Sequence, residues 1–529
     1  MNQRRPAPSQ RFPGLRRPVP LRRLALVAGP LAALATYWLL PESYLGAGGE
    51  SVALAHGARA TAGIAVWMAL WWMTEALPVY ATALLPLALL PLTGAATMAE
   101  AASPYGHPLI YLFLGGFILA LAMERWGLHR RIAFSVLKMS GEKPRNVVGG
   151  FMAVTAGLSM WVSNTATAVM MLPIALSVVD LLEDRCAPDE RPSGTDQGLE
   201  ETKPQPSPLA LCLLLGIAYS ASIGGLGTLV GTPPNLFLAS YAESQLGIAL
   251  GFGRWMLVGV PLVLVFLPLA WLLLTRVLYA LPERPLRGGL ELARQGLAEL
   301  GGWSGGEKRT AAVFALTAGA WIFRPLLAQL EVAGMQPLAG LTDPGIAILA
   351  ALALFMLPAG RDAARGQRVM DWPTAVKLPW GLLVLFGGGL SLAAALQANG
   401  VATYLGSQVG ALAGLPAILP ILAVTALMIF LTEITSNTAS TAALVPVLAA
   451  LAGGLGLDPL MLALPAAVAA SCAFMLPVAT PPNAIVFGSD RVPMAAMIRA
   501  GLWLNLAGVV LITLWAYFLA FRVLGIGVG

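Results

Sequence analysis

Two short polar strings interrupt an otherwise apolar chain. Ser163-Asn164-Thr165-Ala166 recurs as Ser436-Asn437-Thr438-Ala439, 273 residues further on. A hydroxyl stands four residues before each copy (Ser159, Thr432) and a proline ten residues after it (Pro173, Pro446). A second string, Thr232-Pro233-Pro234-Asn235, returns as Thr480-Pro481-Pro482-Asn483. Hydroxyl and amide groups offer neutral oxygens, which suit a hard cation such as sodium. The same amides and hydroxyls donate hydrogen bonds to a carboxylate. Paired prolines remove two backbone donors, break a helix and free carbonyls that complete a cation cage. Gly224, Gly225 and Gly227 ahead of the first pair allow close backbone approach. A hairpin tip of this kind can bind a cation with its oxygens and an anion with its donors, side by side.

Other constellations are poor in chemistry. Three cysteines (Cys186, Cys212, Cys472) and three histidines (His56, His107, His129) are scattered, so neither a disulfide framework nor a zinc site is expected. The glycines from Gly225 to Gly231 lack the lysine of a phosphate loop. No nucleophile–base pair stands out, and no enzyme is expected. Glu433, three residues before Ser436, either pairs at a helix end or titrates as a proton carrier, the structural role being favoured. With no other acid at either tip, sodium is preferred to a proton as the coupled ion.

Elements that would hold these strings follow from composition. Of 529 residues, 57% are hydrophobic and only 11% charged, and mean hydropathy is +0.76. A soluble domain of average composition carries about 25% charged residues, so a membrane bundle is expected. Apolar runs of spanning length fall at 24–40, 58–77, 79–98, 108–126, 209–240, 255–281, 310–330, 345–359, 380–397, 460–487 and 501–523, giving eleven crossings. Two further apolar segments, 147–182 and 416–451, carry a Ser-Asn-Thr cluster in their middles. Their length suits re-entrant hairpins with the polar cluster at the tip. The expected fold class is thus an all-α integral membrane protein of about eleven transmembrane helices plus two re-entrant hairpins.

Charge gives the orientation. Seven arginines and no acid lie in residues 1–23, and further Lys/Arg clusters lie in 129–145, 282–309, 361–377 and 490–499. These mark the cytoplasmic side, placing the N-terminus inside and the C-terminus outside. The arginine tail also accounts for much of the net charge of +6, so no nucleic-acid partner is implied. The connection 183–207, with seven acids and three bases, departs from the rule and reads as a polar cytoplasmic insertion. Ser163 to Thr232 spans 69 residues and Ser436 to Thr480 spans 44, and the 25-residue difference equals that insertion. The chain therefore divides into a basic tail (1–23), a first helix with its outer loop (24–57) and two repeats (58–308 and 309–529). By the crossing count the first hairpin enters from inside and the second from outside, so the repeats are inverted. Inverted repeats with broken helices mark alternating-access transporters.

Twin Ser-Asn-Thr and twin Thr-Pro-Pro-Asn motifs resemble the divalent anion/sodium symporter family, which includes INDY-type dicarboxylate and citrate carriers. The similarity runs from Leu24 to the C-terminus and is closest at 158–173 and 472–488. The resemblance implies a multi-pass homodimer in a bacterial inner membrane, surrounded by lipid, in which a transport domain moves like an elevator. It implies one sodium site from Ser159, Ser163, Asn164 and the carbonyl of Gly231. A second would use Thr432, Ser436, Asn437 and the carbonyls of Ala479 and Pro481. The anion would meet Asn164, Thr165, Asn437 and Thr438, with Thr232, Pro233, Thr480 and Pro481 nearby. Ser440 stands where the first copy has Thr167, which preserves the hydroxyl. The expected activity is sodium-coupled symport of a small divalent anion such as succinate. Citrate or sulfate on the same scaffold, or sodium-independent exchange, are the alternatives; a channel, a membrane enzyme and an arsenite-type carrier fit less well.

Overall fold

The computed structural model describes residues 19–45, 50–186, 207–281, 289–332, 334–410 and 414–527. Most of the basic tail and of the insertion 183–207 therefore lies outside the described residues. A short antiparallel hairpin, β1 (Ser43–Leu45) with β2 (Ser51–Ala53), pairs Tyr44 with Val52. Otherwise the described chain is helical. Helices α1 (Val19–Leu39) and α2 (His56–Thr74) pack along each other. Short helices α3 (Val79–Thr82), α4 (Leu85–Leu92) and α5 (Met98–Ala102) lead into α6 (Pro108–Arg125) and the amphipathic α7 (Leu128–Met139). Next come α8 (Pro144–Ser159), α9 (Asn164–Cys186), α10 (Pro208–Gly225), α11 (Pro233–Leu246) and α12 (Phe252–Leu272). Helix α13 (Gly289–Glu299) lies against α7. The second half comprises α14 (Gly305–Ala328), α15 (Asp343–Met356), α16 (Trp372–Ala375), α17 (Trp380–Ala398) and α18 (Val401–Gln408). It ends with α19 (Ile418–Thr432), α20 (Asn437–Gly454), α21 (Leu460–Ala470), α22 (Pro481–Phe487), α23 (Met494–Trp515) and α24 (Phe521–Leu524).

Among the described residues, seven helices are long and apolar enough to cross a membrane, and several shorter apolar helices accompany them. The difference from an even row of crossings has a local cause. The run 209–240 is not one helix: α10 stops at Gly225, and α11 restarts at Pro233 after an extended Thr232 (φ −145°, ψ 141°). The run 460–487 behaves alike, α21 giving way to α22 after Thr480 (φ −140°, ψ 148°). Proline cannot continue a helix but is pre-set for its first turn, so each Pro-Pro ends the break and starts the next helix.

Burial sorts the helices by position. Every residue of α10 from Ala210 to Gly225 and every residue of α21 is buried. Helices buried on every face lie at the centre of the bundle. By contrast α14 is mostly exposed, with Leu316, Phe323 and Leu326 facing outward, as a lipid-facing helix would be. The two central helices are thus the two that break.

Candidate functional site

Helix α8 stops at Ser159 and α9 restarts at Asn164, leaving 160–163 as a non-helical tip. Ser163 Oγ accepts from Ala166 N (3.3 Å), capping α9. Ser159 Oγ donates to Ala221 O of α10 at 2.6 Å and lies 2.6 Å from the Asn164 amide. The inward end of that amide is also 3.1 Å from Ala221 O and 3.2 Å from Gly231 O. With nitrogen turned inward, Asn164 donates to these oxygens. With oxygen inward, four oxygens face one another, and a cation is what satisfies such a set. A Cβ on Gly225 would lie 2.8 Å from Asn164 Oδ1 and 3.1 Å from Gly231 O, so the cradle needs glycine there.

The second tip, 433–436, separates α19 from α20. Ser436 Oγ accepts from Ala439 N (3.4 Å) as the cap of α20. Thr432 Oγ1 donates to Met428 O (2.9 Å) within its own helix. Asn437 Oδ1 is buried without a hydrogen-bond partner among the described residues. Thr438, Ala479 and Thr480 are buried, while Thr165 and Pro481 are exposed and Pro233 is half-buried. Thr480 Oγ1 accepts from Asn483 N (3.3 Å).

The expected sets are therefore unevenly assembled. Ser159, Asn164 and Gly231 come together; the Ser163 hydroxyl caps a helix instead. Among the described residues, no hydrogen bond joins Thr432 or Ser436 to Asn437, Ala479 or Pro481 in a comparable cluster. Helix α11 packs on α20, and α22 on α9, so each Thr-Pro-Pro-Asn helix lies on the other half's hairpin arm. Thr232 Oγ1 and Ser471 Oγ, 3.1 Å apart, bridge the two breaks directly.

Three contributions escape a reading of sequence. Ala221 O is a backbone group on an apolar residue and leaves no signal. Asn235 Nδ2 donates to Gly225 O (3.1 Å) and Thr228 O (2.9 Å), ten and seven residues back. Asn483 Nδ2 repeats this with Ala473 O (3.5 Å) and Leu476 O (3.0 Å), at the same two spacings. The final asparagine of each motif thus pins the loop that its prolines end. Glu433 ties the second tip to the break after α21. Its Oε1 accepts from Phe474 N (2.7 Å), Met475 N (2.9 Å) and Asn505 Nδ2 (2.7 Å), and its Oε2 from Leu476 N (2.9 Å). In the first half Thr228 Oγ1 donates to Met160 O, tying tip to break by a neutral bond instead.

At both motifs, helices end and helices begin. Helix C-termini present carbonyls to a cation, and helix N-termini present positive dipole ends to an anion. Among the described residues, no cluster of three or more His, Cys, Asp or Glu side chains could hold a metal ion. A helical membrane bundle with polar hairpin tips against two broken central helices defines a secondary carrier. A family model of the sodium:sulfate symporter transmembrane region matches residues 23–524. The chain belongs to that family, the divalent anion/sodium symporters. The sodium-dependent dicarboxylate transporter SdcS of Staphylococcus aureus is 42% identical over 466 residues, covering 88% of this chain and 86% of that protein. Two solved structures share the fold at low identity. The Alcanivorax borkumensis YdaH transporter has a TM-score of 0.56 at 14% identity, covering 95% of this chain and 98% of that one. Neisseria gonorrhoeae MtrF, from a class of antimetabolite efflux pumps, has 0.59 at 13%, covering 95% and 96%.

Proposed function

We propose that the chain carries a small divalent anion, best a C4 dicarboxylate such as succinate, together with sodium by alternating access. The observation that carries this reading is the convergence of Ser159 Oγ, the Asn164 amide, Ala221 O and Gly231 O. The dicarboxylate relative supports the choice of substrate. The first sodium is assigned to Ser159, Asn164 and Gly231, with Ala221 added. The second is assigned to Thr432, Ser436, Asn437, Ala479 and Pro481, where the unpartnered Asn437 Oδ1 is an acceptor suited to a cation. The anion lies between Asn164, Thr165, Asn437 and Thr438. The two halves act as inverted repeats, 58–308 and 309–529, in a homodimer with a cytoplasmic N-terminus and an elevator-like movement. Sulfate is the second reading, favoured by the description of the matching family.

The test is uptake of labelled succinate into proteoliposomes with and without an inward sodium gradient. Accumulation that follows the gradient is expected. Exchange without sodium would overturn the coupling, and uptake of sulfate but not succinate would replace the substrate.

A further inference from the structure

The segment after α15 is a hydrogen-bonded hairpin. Ala359 N donates to Gln367 O (2.8 Å), Val369 N to Leu357 O (3.0 Å) and Met370 N to Leu354 O (3.0 Å). Trp126 Nε1 fastens it to the end of α6 through Val369 O (2.8 Å). Two guanidinium groups are set against the end of α15, Arg309 donating to Pro358 O and Arg368 to Met356 O. Both acids here already have partners. Asp362 Oδ2 accepts from Gly305 N (3.3 Å); Asp371 pairs with Arg125 at 2.6 Å and accepts from Thr374 N (2.9 Å). The side chains of Lys308, Arg361, Arg365 and Lys377 are exposed and make no ion pair or hydrogen bond with another described residue.

An apolar stripe leads to this charge. Leu349, Leu352 and Met356 follow at three- and four-residue spacing on α15 and are 62%, 52% and 71% exposed. Trp372 and Trp380, both exposed, stand beside the basic hairpin with ring centroids 6.5 Å apart. Exposed tryptophans at the end of a membrane helix sit at headgroup level.

We propose that this end of α15 is a docking site for an acidic phospholipid. Its phosphate lies among Arg361, Arg365 and Arg368, and its acyl chains run along Leu349, Leu352 and Met356. Each arginine has five donors in a fixed fork suited to phosphate, and the one bond Arg368 makes to Met356 O leaves others free. Charge selects the occupant. A second copy meeting this face about a twofold axis would bring the same unpaired bases toward themselves. A zwitterionic lipid would bring no net charge to balance them.

The full-length protein in detergent would be titrated with phosphatidylglycerol, phosphatidylcholine or inorganic phosphate while its thermal unfolding midpoint is followed. Phosphatidylglycerol should raise the midpoint and the other two should not. The Arg361→Gln/Arg365→Gln/Lys377→Gln variant should need about tenfold more phosphatidylglycerol or worse for the same rise, and Arg361→Lys/Arg365→Lys, which keeps the charge but not the fork, should fall between that variant and the parent. All five substitutions fall on exposed side chains, so folding should survive them. An unchanged lipid response in the triple variant, or an equal response to inorganic phosphate, overturns the site. So does a shift toward monomer in native mass spectrometry with lipid retention unaltered, which would make this face a contact between copies.

Discussion

An asparagine amide presents an acceptor oxygen and a donor nitrogen about the same central carbon, so one side chain can serve a cation and an anion. Asn164→Ala or Asn437→Ala should therefore abolish sodium-driven uptake while the protein still elutes as a folded species by size-exclusion chromatography. Normal transport by either variant would remove the proposed site. Gly225→Ala tests the cradle without touching a ligand: its methyl would crowd Asn164 Oδ1 at 2.8 Å. About a tenfold rise in the sodium concentration for half-maximal uptake is expected, with smaller change in succinate affinity. At Glu433, Gln keeps one acceptor but turns an NH2 toward backbone donors. Glu433→Gln should lower stability by about 3 kcal/mol, read as a lower unfolding midpoint, while uptake stays sodium-dependent. Sodium-independent uptake in that variant would return Glu433 to a coupling role. Ser159, Asn164 and Asn437 were legible because a polar string repeated in an apolar chain is conspicuous. Ala221 was not, since its contribution is a carbonyl that every residue possesses.

Broken helices were legible only in part. The prolines of 233–234 and 481–482 announce a break, but the surrounding residues stay apolar, so hydropathy fuses α10 with α11 and α21 with α22 into single crossings. What hydropathy cannot register is how the freed backbone is satisfied, and that falls to Asn235, Asn483 and Glu433. Non-helical backbone at membrane depth persists only where such partners exist. Asn483→Ala strips the amide that bonds Leu476 O, and Asn235→Ala the one that bonds Thr228 O. Each should cost about 1–3 kcal/mol of stability by thermal unfolding. Each should also weaken apparent sodium affinity, because the pinned loops include the proposed carbonyl ligands or adjoin them. A variant that lost stability yet kept parental sodium affinity would show that loop and cation are uncoupled.

Across the molecule, one buried ion pair fastens the periphery. Arg131 of α7 meets Glu307 of α14 through Nε (2.8 Å) and Nη2 (3.1 Å), and donates to Gly301 O (3.0 Å). Both side chains are buried, so Arg131→Ala leaves a lone carboxylate and should destabilise by about 3 kcal/mol, whereas Arg131→Ala/Glu307→Ala should recover much of that. A surface pair behaves differently. Hydrogen bonds from Thr374, and then the Arg125 guanidinium, hold the Asp371 carboxyl below the usual range. A lowered folded pKa stabilises above the ordinary value of about 4, and this is lost as pH falls through the lowered one, so Asp371→Asn should cost a little stability at neutral and basic pH and nothing in strong acid, flattening the acid limb of the unfolding midpoint against pH. Composition and charge made the membrane bundle readable; they could not show that α10 and α21 lie at its centre, because a lipid-facing helix and a core helix are equally apolar. The Glu433 anchor has a consequence for biogenesis. Its three backbone partners lie 41 to 43 residues downstream and its amide partner 72, so they leave the ribosome later than the carboxylate does. A nascent chain released after α20 would hold a lone acid within the bilayer and should be recognised by membrane quality-control proteases, whereas one released after α23 should survive.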